Sequence, residues 1–139
     1  MKNLAILLLF LVACKSTKHI TVENKTATET FEASLKGSWK LQFLWGVDSS
    51  KLRPGNLEFD TNAGTFSGNT GCNAIGGKFT FKKDVIVFDK SMITTHMACP
   101  GYNDRNFTDL LLKVNKLTIN NKTLELSQDN LVLMSLRKE

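Results

Sequence analysis

The sequence predicts a mainly β domain, a small antiparallel barrel or strongly curved sheet with one inserted helix. Three observations predict it. Short stretches alternating apolar and polar side chains recur along the chain, as half-buried strands require. Turn-forming pairs punctuate them, at Pro54-Gly55, Asn120-Asn121 and Asp129-Asn130. One segment, about 103–114, changes period. Asn103 and Asp104 are good N-cap residues, and Phe107, Leu110, Leu111 and Val114 then recur at helical spacing.

The chain begins with an address. Lys2 is followed by an unbroken apolar run, Leu4 through Ala13, too short to cross a bilayer as a helix, which needs about 20 residues. It suits the core of a signal peptide. The run ends in Leu11-Val12-Ala13-Cys14, which resembles the lipobox of bacterial lipoproteins. That resemblance implies a signal peptide over 1–13, removed by cleavage, and lipidation of Cys14. Two or three acyl chains anchor stably where one is marginal, because each buried methylene contributes roughly 0.8 kcal/mol. Lys15 follows, and no acidic residue sits there to resemble an inner-membrane retention signal. The expected location is the bacterial cell envelope, at the outer membrane and facing the periplasm. From residue 14 to 35 the chain is rich in Thr, Lys and Glu and reads as a solvated, flexible tether, with Phe31 and Leu35 where docking begins. The domain is expected over 36–139.

Within it the strands follow in order. Residues 37–43 alternate apolar and polar, 56–59 follow the Pro54-Gly55 turn as a short strand, and 65–68 read as another. Lys78-Phe79-Thr80-Phe81 puts both phenylalanines on one face. Val85-Ile86-Val87-Phe88 is continuously apolar and reads as a strand covered on both sides. Residues 117–119, 123–126 and 131–134 complete the set. There is no internal repeat and room for one modest core only.

The net charge of +5 is mild and spread along the chain, with Lys82-Lys83 and Arg137-Lys138 its densest pairs. It reads as solvated strand ends, not as a nucleic-acid surface. With Cys14 taken by lipid, Cys72 and Cys99 remain as an even pair, 27 positions apart. In an oxidising compartment a disulfide is the expected fate, worth roughly 3–3.5 kcal/mol on the chain-entropy model. Two buried free thiols are the competing reading, which sequence alone leaves open.

Two motifs carry a resemblance. Gly68-Asn69-Thr70-Gly71-Cys72-Asn73, with Gly76-Gly77-Lys78-Phe79 after it, and Thr94-Thr95-His96-Met97-Ala98-Cys99 resemble the paired signatures of the META domain, the family of HslJ-like bacterial proteins. Trp39-Lys40-Leu41, the helix around Phe107 and Leu124-Glu125-Leu126 match in consistent order from about residue 37 to 137. The motif residues carried over are Gly68, Gly71, Cys72, Asn73, Gly77, Thr94, Thr95, Met97, Ala98 and Cys99. The resemblance implies a small antiparallel, incompletely closed β-barrel with one inserted α-helix. It implies heat-shock and antibiotic-sensitivity connections but no defined reaction, and some relatives are likened to lipid-binding pilot proteins. Physically, the glycines permit positive φ or close backbone approach, and Asn73 can tie the loop down. A phosphate cradle is the functional rival and fits less well, since Gly68–Gly77 lacks a Lys-Ser/Thr ending and leads into a strand.

Catalytic chemistry finds little support. Cys72, His96 and Asn73 supply the types for a thiol enzyme, but Asn73 adjoins Cys72 and is badly placed to orient His96. Met92, His96, Met97 and Cys99 are ligand types for a soft metal, yet Met97 reads better as a core residue and His96 as a surface one. Asp48, Asp60, Asp84, Asp89, Asp104 and Asp109 fall at ordinary turn and strand-end positions. No catalytic residue, metal or cofactor is expected. The expected function is a lipid-anchored envelope accessory or binding module in envelope maintenance or stress response, acting as a monomer on an envelope protein partner, without nucleic acid. The alternative is a carrier of a lipid or other apolar small ligand in the barrel, lined by Trp45, Phe66, Phe79 and Phe81. Tryptophan in a small β domain is nevertheless more often core than groove.

Overall fold

The computed structural model describes residues 30–139. The apolar run 4–13, Cys14, His19 and the tether as far as residue 29 lie outside the described residues. After a helical segment over 30–35 come β1 (Gly37–Leu44), a 3-10 turn (Ser49–Lys51), β2 (Asn56–Asp60), β3 (Thr65–Asn69), β4 (Ala74–Lys82) and β5 (Val85–Phe88). Then follow β6 (Ile93–Thr94), the helix α1 (Arg105–Leu111), β7 (Lys116–Asn120), β8 (Thr123–Gln128) and β9 (Leu131–Lys138).

Eight of these strands form an antiparallel barrel in the order β1-β2-β3-β4-β5-β7-β8-β9, with β9 returning to β1. Short β6 hangs on the first half of β4, at Ile75 and Gly76. The barrel is closed, where an incompletely closed one was expected. Closure rests on the length of β4, whose first half pairs with β3 and whose second half pairs with β5. The seam is narrow: β5 meets β7 in one register pair, Val85 with Lys116. Beside it Leu117 N donates to Asp84 O at 2.7 Å and Ile86 N to Asn115 O at 3.3 Å.

Alternation decides most of the interior. Trp39 and Leu41 of β1 face inward, and a bulge between Leu41 and Phe43 then shifts the register. Leu44 therefore enters the core and Phe43 stays outside. A second irregularity, opposite Leu126 and Ser127, lets the neighbours Leu133 and Met134 both be buried. The β7–β8 and β8–β9 connections place Asn121 and Asp129 at positive φ, a conformation these side chains tolerate. β5 is not covered on both sides. Ile86 and Phe88 are buried, but Val85 and Val87 are 52% and 55% exposed, because the outer face of a single-layer barrel meets solvent.

Packing begins at the end of the segment read as tether, where Phe31 and Leu35 were expected to dock. Residues 30–35 are helical, and Leu35 is fully buried. Trp39, equally buried, donates from Nε1 to the Leu35 carbonyl at 2.8 Å. Phe31 lies 6.1 Å from Phe81, ring to ring. This turn is part of the packed body. α1 is shorter than the expected 103–114: it starts at Arg105 and stops at Leu111. Lys113 N and Val114 N bond to Leu110 O and Leu111 O, which tightens the last turn. Phe107, Leu110, Leu111 and Val114 are buried as the spacing required.

Candidate functional site

The two sequence motifs meet at one corner of the barrel, where β3 turns into β4 and the segment after β6 folds back over the turn. Thr70 builds the turn. Its N–H donates to Asn73 O at 2.9 Å, and its hydroxyl accepts from the N–H groups of Asn73 at 3.0 Å and Cys72 at 3.3 Å. The Asn69 side chain accepts from Gly71 N at 2.7 Å. Gly71 sits at φ +94°, and a Cβ there would fall 2.6 Å from Arg53 Cβ, so no other residue fits. Gly68 is required differently: its φ is not positive, but a Cβ would run into the Asn56 carbonyl. Gly77 lies further along β4, packed beneath Phe66 and Met92.

Asn73 is the centre of the corner. It is 2% exposed and uses its whole hydrogen-bonding capacity. Oδ1 accepts from Met97 N at 2.7 Å and from the Thr95 hydroxyl at 2.9 Å. Nδ2 donates to Met97 O at 3.3 Å and to the Asp104 carboxylate. Because Met97 N can only donate and Met97 O only accept, the amide orientation is fixed by its partners. Thr95 Oγ1 also accepts from Ala74 N at 3.0 Å. The disulfide Cys72–Cys99, with Cα atoms 6.1 Å apart, closes the same corner. Tyr102, next along, donates its hydroxyl to Thr70 O. Arg53 lies 5.0 Å from the Tyr102 ring centre and donates to Pro100 O at 3.1 Å. Burial, and then the Asp104 charge, push the Tyr102 phenol up from its ordinary value, while Arg53 works the other way.

The corner explains why α1 lacks its expected cap. Asp104 makes no side-chain cap bond, since its carboxylate accepts from Asn73 instead. Met97 was expected in the core but is 60% exposed; the corner uses its backbone, not its side chain. Thr94, His96 and Ala98 contribute no side chain to the corner either, and His96 and Ala98 are exposed. The sequence reading missed Thr70, Tyr102, Asp104 and Arg53 as partners. Only Thr70, lying inside the first motif, carried a signal. With both sulfurs bonded to each other, no thiol is left for chemistry at this corner. Among the described residues no group of three or more His, Cys, Asp and Glu is placed to hold a metal ion.

Of the four residues named as an apolar lining, Phe66, Phe79 and Phe81 join one aromatic cluster and Trp45 does not. Phe66 packs edge-on against Phe88 at 5.1 Å, Phe79 against Phe59 at 5.3 Å, and Phe81 stacks on Phe79 at 5.9 Å. These rings fill space among themselves. Trp45 stands outside, half exposed, at the end of β1. It borders an open groove of about 530 Å³ whose walls are residues 45–48 with Lys51 on one side and 101–103 with Asn106 on the other. Trp45 N donates to Leu133 O at 2.8 Å, and Asn106 Nδ2 donates to Trp45 O at 3.2 Å. Two hydrogen bonds from Ser50, the hydroxyl and then the backbone N–H, hold the Asp48 carboxyl below the usual carboxylate range.

Comparison with known proteins agrees with this architecture. The barrel is similar to the NMR structure of a protein from Burkholderia xenovorans, with a TM-score of 0.60 at 19% identity over 79% of this chain and 87% of that one. It is also similar to the crystal structure of a DUF4847 family protein from Bacteroides vulgatus, with a TM-score of 0.55 at 14% identity, covering 79% and 97% of the two chains. At these identities the likeness shows the fold alone. No curated protein sequence gives a significant match. The META domain model matches residues 32–139, a span that contains both motifs and the corner they form, and the chain belongs to the META domain family.

Proposed function

We propose that this protein is a lipid-anchored, non-catalytic accessory or binding module of the bacterial cell envelope. In this reading Cys14 carries the lipid, the chain up to about residue 29 is the tether, and the barrel faces the periplasm from the outer membrane. The observation that carries it is Leu11-Val12-Ala13-Cys14 at the end of an apolar run too short to span a bilayer. A disulfide-closed corner suits an oxidising compartment. The absence of catalysis is supported by a corner whose cysteines are bonded and whose amide is fully used in holding backbone. The module works from its outer surface in envelope maintenance or stress response, because the rings that would line an internal site pack against one another. That packing also speaks against the alternative, carriage of a lipid inside the barrel.

The test is an intact mass of the full chain extracted gently from membranes, beside the Cys14→Ser variant. Expected are loss of residues 1–13, a mass increase of two or three acyl chains in the natural sequence, and none in the variant, which leaves the membrane fraction. A membrane-extracted protein that carries no acyl chain would overturn the proposal.

A further inference from the structure

We propose that the groove between residues 45–51 and 101–106 binds a saccharide, with the exposed face of Trp45 as the platform on which a sugar ring stacks. The C–H face of a pyranose is weakly positive and meets the negative face of an indole. Of the two tryptophans, Trp45 is half exposed and lines the groove, while Trp39 is fully buried. The Trp45 backbone is held on both sides, by Leu133 and by Asn106, which fixes the point on the groove wall from which the indole projects.

The rim supplies both kinds of hydrogen-bonding group that hydroxyls need. Asp48 accepts, Lys51 donates, and the Asn103 and Asn106 carboxamides do both. One carboxylate against one ammonium leaves the rim without net charge, which suits a neutral polyol and offers no excess of cations for a phosphate. A lipid chain would need an enclosed apolar wall, and this groove is open and charged at its edge. Its volume of about 530 Å³ is within the range of small-ligand sites. The second wall follows the disulfide-bonded Cys99, and Tyr102 within it is tied to Thr70 and Arg53. The family corner thereby holds one side of the groove in place. Binding here is independent of whether Cys14 carries lipid, so the two proposals fail separately.

The experiment is isothermal titration calorimetry of the purified full chain with two neutral probes, chitotetraose and cellotetraose. Saturable binding of at least one is expected. Trp45→Ala should weaken it by about tenfold or more, as loss of a central aromatic anchor does, and Asn103→Ala by a smaller factor. The near-ultraviolet circular dichroism of buried Trp39 reports that each variant is folded, and Trp45→Phe, which keeps an aromatic face, should bind between the two. Failure of both tetrasaccharides to bind would overturn the proposal, as would binding that the folded Trp45 and Asn103 variants leave unchanged.

Discussion

The Asn73 side chain is itself 2% exposed, and it makes four hydrogen bonds to Met97, Thr95 and Asp104, with a further contact from Nδ2 to Cys72 Sγ at 3.4 Å. Truncation to alanine leaves Met97 N, the Thr95 hydroxyl and the Asp104 carboxylate without it. Leaving such groups unpaired is costlier than the bonds are individually worth. Asn73→Ala should lose about 3 kcal/mol of stability, read as a lower urea midpoint at unchanged slope. Tyr102 gives a second test at this scale, because it is the sole tyrosine. Its absorbance titration should lie above the usual value near 10, and Arg53→Ala should move it higher by removing the one influence that lowers it. A phenol whose folded pKa is raised contributes stability that is complete below the unfolded pKa and is lost as pH rises through the folded one. The corner should therefore loosen in strong alkali, and not in mild acid on account of Tyr102.

Among the elements, the β5–β7 seam is the thin place in the ring. β8 and β9 pair along most of their lengths, whereas Ile86 N and Leu117 N carry the bonds beside a single register pair. Local opening should begin there. In native-state hydrogen exchange, the amides of Ile86 and Leu117 should exchange at least about tenfold faster than those of Leu124 and Leu126, a difference of about 1.4 kcal/mol. Elements with a clean period were legible in the sequence: β1 and β8 begin where expected, and α1 buries the four residues its spacing chose, whereas β9, expected over 131–134, runs on to Lys138. Ala74–Gly77, the first half of β4, was not legible, because two glycines erase the period that marks a strand. Val85 and Val87 misled for the opposite reason, since β-branched side chains suit a strand whichever face they occupy. The corner was legible as a pair of motifs and as two cysteines. Its wiring was not, because Asn73 recognises the backbone of Met97, and backbone groups leave no trace in side-chain identity.

For the molecule as a whole, the packed body begins before the residue where composition changes. Burying Leu35 is worth about 1.5–3 kcal/mol, and its carbonyl receives the indole of Trp39. A chain of residues 37–139 should melt about 10 °C or more below one of residues 30–139, although both contain the entire barrel. Differential scanning calorimetry of the two decides it, and equal midpoints would return 30–35 to the tether. The C-terminus closes over the same place. Lys138 Nζ donates to Ser34 O at 2.6 Å and lies 5.0 Å from the Trp39 ring centre, while the Ser38 hydroxyl donates to the Glu139 side chain at 2.7 Å. Since Trp39 pairs with Lys138 across antiparallel β1 and β9, the two ends of the domain leave from the same end of one ladder. A mechanical pull between them would not shear that ladder but unzip it, each rung bearing the load in turn once Leu35 had been drawn out. Under tension the barrel should yield at low force, opening between β1 and β9.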